Sequence, residues 1–160
     1  MYFRSKATPD RTSNVRHEHF LLISSSELTS RYRRFRTDAH VRLCSVERKV
    51  ADELVLPPPS EIASLINTSL LCSDPKARDL ILLLAQYPDA VKMALLKLEA
   101  STIVTYCWRL THAVSSAWET MVVKGQEREV ALARLWLFRT CRDVLGSAMR
   151  LLTIEPLERM

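Results

Sequence analysis

Several arginines and one tryptophan in the C-terminal half of the chain have the chemistry of an anion-binding or base-binding surface. Four of the arginines fall on one flank of a single predicted helix: Arg128, Arg139, Arg142 and Arg150. Guanidinium groups along one edge suit phosphate oxygens, although Asp143 follows Arg139 by four positions and favours an ion pair instead. Trp118 lies at the edge of an apolar stripe, so its indole is a candidate for stacking on a base or for ordinary core packing.

Arg134 occupies a different part of the same predicted helix. On a helical projection it falls at the centre of the stripe that contains Phe138 and Leu145, where an unpaired guanidinium would be costly. The sequence therefore predicts a structural role for Arg134, in which it pairs with a carboxylate or with carbonyls at a helix C-terminus.

Catalytic, metal and cofactor sites have little support in the sequence. The chain contains two glycines, Gly125 and Gly146, whereas a phosphate-binding loop needs several close together. The His-Glu-His string at residues 17–19 has no cysteine cluster to complete a metal site. His40 and His112 are isolated on predicted helices, where a structural role is the more common one. We therefore expect no catalytic residue, no metal and no cofactor held by this chain.

The candidate arginines and tryptophan lie on two long predicted helices. Apolar residues step by three or four from Ile103 to Met121 and again from Ala131 to Leu152, on either side of Gly125,. Such stripes predict two antiparallel core helices. No segment alternates apolar and polar residues over a useful length, so a β-sheet has almost no support. The predicted fold class is all-α, a helical bundle.

Capping signals predict shorter helices before this pair. Three such signals begin helices: Asp38, Asp74 with Pro75, and Pro88,. The prolines at 57–59 end the first of these helices because they remove backbone donors. Ser101 or Thr102 is placed to cap the first long helix. In the helix that starts at Pro88, three residues keep the spacing of a core face: Val91, Leu95 and Leu98,.

The first 38 residues differ in character from the rest. They show no sustained period and hold eight Lys/Arg against four Asp/Glu, so four of the net five positive charges lie there. We divide the chain into an irregular basic N-terminal segment, residues 1–38, and a helical domain, residues 39–160. Dispersed cysteines indicate free thiols. No signal-peptide or membrane-spanning pattern occurs, which favours a cytoplasmic protein without a membrane partner, with mitochondria as the alternative location.

Three local strings within residues 39–160 carry a resemblance to a known family. They are Ala-His-Val-Arg-Leu-Cys-Ser-Val-Glu-Arg-Lys at 39–49, Leu-Leu-Ala-Gln-Tyr-Pro at 83–88, and Leu-Leu-Thr-Ile-Glu-Pro-Leu-Glu-Arg-Met at 151–160. With the stretches 102–119 and 131–135 between them, they resemble arginyl-tRNA synthetases of class I, eukaryotic type. The resemblance is to the C-terminal anticodon-binding domain, which is helical and is named DALR for its Asp-Ala-Leu-Arg string.

The resemblance implies that this domain binds tRNA for arginine at the anticodon stem and loop. Trp118 matches a position where the family places an aromatic residue against a loop base, and Met160 is the terminal residue near the same loop. Together with Arg139, Arg142 and Arg150 as the phosphate-facing edge, these residues form the tRNA-binding set that we predict.

The chain also departs from the family pattern. Val122 stands where some relatives carry a second aromatic residue. The family activates arginine with ATP through a His-x-Gly-His signature and a Lys-Met-Ser-Lys-like loop, and neither occurs in the chain. It resembles part of an arginine–tRNA ligase, so we expect it to be inactive alone, with ATP used by the full-length enzyme and the missing catalytic part as a candidate partner. The alternative is a helical protein-interaction module derived from the synthetase without RNA binding.

Overall fold

The computed structural model describes residues 25–58 and 60–159, and within them all regular structure is helical. The elements are α1 Ser25–Val50, α2 Ile62–Leu65, a 3-10 helix Thr68–Ser73, α3 Pro75–Ala85, α4 Tyr87–Lys97, α5 Ser101–Trp118 and α6 Arg128–Leu151. The predicted all-α fold is confirmed. The described residues from Arg34 onward form one compact unit.

The two long helices at the C-terminal end form the centre of this unit. Helix α5 packs against α3, α4 and α6, and α6 also packs against α3 and the 3-10 helix. The predicted stripe of the first long helix is buried: Ile103, Cys107, Leu110, Val114, Ala117 and Met121. The stripe of the second is buried from its start to its last full turn: Ala131, Leu135, Phe138, Cys141, Leu145 and Ala148. Helical periodicity therefore identified the core correctly.

The predicted start of α3 is confirmed, and that of α5 is wrong. The Asp74 side chain accepts a hydrogen bond of 2.9 Å from the backbone N–H of Lys76, and Pro75 is the first helical residue. At α5, Ser101 already lies inside the helix, and no side chain caps it. Backbone carbonyls in the tight turn after α4 accept the hydrogen bonds that a capping side chain would otherwise accept. The N–H of Ile103, for example, donates to the carbonyl of Ala100 at 3.0 Å.

Helix α4 turns a different face to the core from the one its leucines predict. Leu95 is 72% exposed and Leu98 is 87% exposed. The Tyr87 ring instead lies 5.4 Å from the Tyr106 ring, and the Tyr87 hydroxyl donates to Ser147 Oγ at 3.0 Å. These contacts orient α4 so that tyrosine and small residues face α5, and the leucines lie on the outside.

Helix α1 begins earlier than the sequence suggests. It starts at Ser25, so residues 25–38 are helical and not irregular, and Asp38 lies inside the helix. Hydrophobic periodicity does not detect a helix without an apolar stripe, whereas arginine and leucine favour helices intrinsically. Residues 1–24, including the string at 17–19, lie outside the described residues, and the division of the chain after residue 38 stays a prediction.

The later part of α1 joins the core through Ala39, Leu43 and Val50, all of which are buried. The helix ends at Val50, several residues before the prolines at 57–59 that the sequence predicts to end it, and the N–H of Leu54 then donates to the carbonyl of Val50 at 2.7 Å. No helix within the described residues combines the length and apolar character needed to cross a membrane.

Candidate nucleic-acid interface

The predicted arginine edge lies where α6 meets the last turns of α1. Arg139 forms an ion pair of 3.4 Å with Glu47, and Arg142 pairs with the same carboxylate. Arg142 also donates to Asp143 Oδ1 from Nη2 at 2.7 Å. The predicted pair between Arg139 and Asp143 is therefore replaced by contacts with a different helix, because Glu47 is within reach of both arginines.

Arg142 stays protonated, and the carboxylates of Glu47 and Asp143 balance part of its positive charge. Burial alone would lower its pKa, but the hydrogen bond and charge of Asp143 and the charge of Glu47 raise the pKa above the ordinary arginine value,. The neighbouring thiol of Cys44 has a pKa raised by burial, so it stays uncharged near neutral pH. The edge thus carries two arginines bound to acidic side chains.

Arg150 differs from these two arginines in its surroundings. It is exposed at the second-last position of α6, and within the described part of the chain it forms no ion pair. It lines a cavity of about 520 Å³ that is enclosed by α1, α6 and the C-terminal tail and that also contains Arg142. Of the three predicted edge arginines, Arg150 is the one most available to an incoming phosphate. Arg128, at the other end of α6, is also exposed but does not line this cavity.

Trp118 is half-buried at the end of α5, as its place at the edge of the stripe predicts. Its ring centroid lies 5.5 Å from that of Phe138, with the planes tilted by 55°,. Part of the indole faces a cavity of about 190 Å³, which is lined mainly by apolar side chains: Val46, Lys49, Val50, Trp118, Met121, Val122, Val123, Lys124 and Phe138. The apolar side chains of this recess suit a flat, uncharged group. The two lysines suit an anionic group attached to it.

The two groups of predicted residues lie on opposite flanks of α1. Val46 lines the recess beside Trp118, whereas the next residue, Glu47, pairs with the arginines on the other flank. Between them, the outward face of α1 carries the exposed residues Arg42 and Lys49. Sequence reasoning did not single out these two cations, because a charged residue on a helix usually marks only its solvated side.

Arg134 is placed close to its predicted role. It is half-buried and not fully enclosed, and its Nη1 donates to the backbone carbonyl of Val122 at 2.7 Å. Val122 lies in the loop between α5 and α6 and lines the recess beside Trp118. Arg134 therefore ties this loop to α6. Sequence reasoning predicted a backbone carbonyl among its possible partners but could not locate it in the loop.

Met160 is not among the described residues. Within them no group of three or more histidine, cysteine or acidic side chains is arranged to hold a metal ion. His40 and His112 are separate, the first buried and the second exposed. The two cavities and the exposed cations around them make the surface of α1, α5 and α6 the candidate interface.

Comparison with known proteins gives a consistent result. The profile of the DALR anticodon binding domain matches residues 37–160. The chain is 45% identical over 124 residues to a probable cytoplasmic arginine–tRNA ligase of Schizosaccharomyces pombe. It is 43% identical over 123 residues to the cytoplasmic arginine–tRNA ligase of Saccharomyces cerevisiae. These two alignments each cover 76% of the chain and 19% of the relative.

A third relative is named for another compartment. The mitochondrial arginine–tRNA ligase of Saccharomyces cerevisiae is 40% identical over 88 residues, which is 55% of the chain and 14% of that protein. The chain thus spans about a fifth or less of the length of these curated relatives.

Proposed function

The chain belongs to the family of DALR anticodon-binding domains, and we propose on this basis that it binds the anticodon stem and loop of tRNA for arginine. The observation that carries the proposal is the family match over residues 37–160, together with 45% identity to a protein named as an arginine–tRNA ligase. Its role is recognition of the RNA rather than chemistry on it.

In this proposal the outward face of α1 is the centre of the RNA-binding surface. Arg42 and Lys49 are exposed there. Lys49 also lines the Trp118 recess on one flank, and Arg150 lies on the other flank. Exposed cations contact phosphates without reading sequence, and they set the position of the RNA on the protein. A loop of single-stranded RNA laid across α1 could reach both flanks, because its unstacked bases are free to splay outward.

Trp118 supplies base recognition in the same proposal. Its indole is half-buried against Phe138, so the ring is held in place and loses little freedom when a base stacks on it. The adjoining recess of about 190 Å³ has a mainly apolar lining that includes Lys49 and Lys124. A base that enters the recess can stack on the indole, and the phosphates attached to it can then contact the lysines. Met160 is proposed to act at the same loop, as the resemblance implies.

Aminoacylation is proposed to require a catalytic part beyond these residues. The relatives are about five times longer than the aligned region, and the chain has neither the His-x-Gly-His nor the Lys-Met-Ser-Lys-like signature. We expect no ATP-dependent activation of arginine by these 160 residues, with ATP bound by the catalytic part of a synthetase. A cytoplasmic location is proposed from the names of the two relatives with the longer alignments. The mitochondrial alternative is not favoured, because the mitochondrial relative of Saccharomyces cerevisiae aligns over only 88 residues.

A tRNA titration tests the proposed function. The full chain should bind tRNA for arginine more tightly than an unrelated tRNA at the same salt concentration. Trp118→Ala should weaken binding by about 1–3 kcal/mol, the scale of one stacked base, and should reduce the preference for the cognate tRNA. Trp108→Ala is the matched control, because Trp108 is partly exposed on α5 and lines a different cavity. Equal binding of both tRNAs by the wild type and by Trp118→Ala would refute the assignment.

The protein-interaction alternative has one specific observation in its favour. Three leucines at the end of α4 are exposed: Leu95, Leu96 and Leu98. Exposed apolar residues close together often mark a contact with another protein or domain. A chain with full helicity that binds no tRNA, but that is captured by the catalytic part of a synthetase through these leucines, would favour this alternative over RNA binding.

A further inference from the structure

The C-terminal tail folds back from α6 in a defined way. After Leu151 the chain turns at Thr153, whose φ of 57° lies in the left-handed region. The N–H of Ile154 then donates to the carbonyl of Met149 at 2.9 Å, which closes the helix end. The tail continues past Pro156 along the cavity between α1 and α6. A turn with this closure sends the last residues toward α1.

Two side chains of α1 bind the backbone of this tail. His40 Nδ1 lies 2.8 Å from the carbonyl oxygen of Leu157, and a guanidinium N–H of Arg48 donates to the carbonyl oxygen of Glu158 at 3.2 Å. Both partners on the tail are main-chain carbonyls, so these bonds fix the path of the chain whatever side chains it carries. His40 and Arg48 lie about two turns apart on α1 and bind the carbonyls of two consecutive tail residues,.

His40 is itself held firmly. It is 6% exposed, and a Cβ added to Gly146 on α6 would come within 3.1 Å of its Nε2. Because Nδ1 must donate to the Leu157 carbonyl, the ring carries a proton on Nδ1, and the nearby Cys44 Sγ at 3.6 Å is at most a weak acceptor from the same N–H,. The ring therefore has one defined orientation, directed at the tail.

Arg48 is braced in a similar manner. Its Nε donates to the backbone carbonyl of Cys44 on its own helix at 3.4 Å, while the end of the guanidinium reaches Glu158. It is exposed, so its contact with the tail contributes less than that of the buried His40. The two contacts together form a clamp, defined here as His40 and Arg48 on α1 with the carbonyls of Leu157 and Glu158.

We propose that His40 and Arg48 are positioning residues, and that their clamp sets where the last residues of the chain meet bound RNA. The proposal rests on the proposed function, because it takes tRNA as the ligand. The outward face of α1 that carries Arg42 and Lys49 belongs to the same helix that holds the tail. The tail lines the same cavity as Arg150. A tail released from α1 would therefore lose its fixed position beside this cation, and RNA binding would have to order it again.

The test combines a readout of the tail with a readout of RNA binding in the full chain. His40→Leu keeps most of the volume and removes the donor, whereas His40→Asn keeps an N–H donor near the position of Nδ1. Timed carboxypeptidase digestion followed by mass spectrometry measures how firmly residues 157 and 158 are held, without any RNA. Titration with tRNA for arginine is then repeated in a variant that ends at Pro156, with and without His40→Leu.

The expected results are specific to a positioning role. His40→Leu should speed removal of residues 157 and 158 and weaken tRNA binding by roughly three- to tenfold, the effect of one net hydrogen bond. His40→Asn should restore both readouts toward the wild type. In the variant that ends at Pro156, His40→Leu should have no further effect on affinity. Arg48→Leu should act in the same direction more weakly.

Matched controls are His112→Leu and Arg78→Leu, which replace exposed residues on α5 and α3 and should change neither readout. Unchanged digestion of the tail in His40→Leu would overturn the clamp. If His40→Leu weakens tRNA binding by the same factor in the variant that ends at Pro156 as in the full chain, His40 does not act through the tail. A wild-type chain that binds no tRNA would end both the proposed function and the positioning role, while digestion would still show whether the clamp exists.

Discussion

Glu47 on α1 pairs with Arg142 on α6, so a carboxylate lies at the centre of the arginine edge that the sequence assigns to phosphate. The same carboxylate lies 3.4 Å from Arg139. All three side chains are partly enclosed, with 22–31% of each exposed, so the pairs are less screened than surface ion pairs. In the proposed function, Glu47 therefore couples the packing of α1 on α6 to the positive charge that this edge offers to RNA.

Glu47→Gln should strengthen tRNA binding while it weakens the fold. Removal of the negative charge frees Arg139 and Arg142 for phosphates, so the salt dependence of binding should become steeper by about 0.7–0.9 for each new phosphate contact. Urea unfolding should show a loss of stability, because Arg139 loses its carboxylate partner and Arg142 keeps only Asp143,. Glu99→Gln is the control, since Glu99 is exposed in the turn between α4 and α5, away from both flanks of α1. A salt dependence identical to that of the wild type would show that this edge does not face RNA.

Arg150 and Arg142 should respond differently to substitution. Arg150→Ala removes an exposed cation that has no ion pair within the described residues, so it should reduce the salt dependence of binding with little effect on stability. Arg142→Ala should mainly lower the free energy of unfolding, because Asp143 loses its guanidinium partner and Glu47 loses one of its two,. The two variants are compared by tRNA titration over a salt series and by urea unfolding. If Arg142→Ala reduced the salt dependence of tRNA binding more than Arg150→Ala does, the phosphate contact would lie at Arg142.

The contrast between these arginines shows where sequence reasoning reached its limit. A period of 3.6 residues located the α5 and α6 stripes, because burial on one face repeats along the sequence. The pairing of Glu47 with Arg142 joins residues 95 positions apart, and nothing local in either segment encodes it. The exposure of Leu95 on α4 was missed for a related reason, since the Tyr87 ring contact that orients the helix is also a tertiary one,.

Stability should fall above pH 9 because of groups that burial keeps protonated. Burial raises the pKa of Cys141 to about 12 from an ordinary value of 9.0, and desolvation also raises the pKa of Tyr106. Between pH 9 and 12 the folded chain holds protons that the unfolded chain has lost, so the free energy of unfolding decreases as pH rises. Each group contributes at most about 1.4 kcal/mol per pH unit.

Urea unfolding at several pH values between 8 and 11, in reducing buffer, checks this expectation. Cys141→Ala should make the decline above pH 9 shallower, whatever its effect on stability at pH 8. Cys72→Ala, which removes a thiol from the surface, serves as the control and should leave the decline as it is in the wild type. An identical pH dependence in all three proteins would mean that Cys141 is not protected from ionisation by the fold.

Gly146 offers a test of the His40 contact that does not alter His40 first. Glycine within a helix costs up to about 1 kcal/mol relative to alanine, so Gly146→Ala alone would be expected to stabilise α6. The added Cβ would come within 3.1 Å of His40 Nε2, closer than van der Waals contact, so in the wild type it should push the ring and cancel or reverse the gain. In a His40→Ala background the obstruction is gone, and the same substitution should stabilise the fold by about 0.5–1 kcal/mol. Thermal unfolding of the four proteins measures this change in sign, and an equal effect of Gly146→Ala in both backgrounds would show that the ring does not pack there.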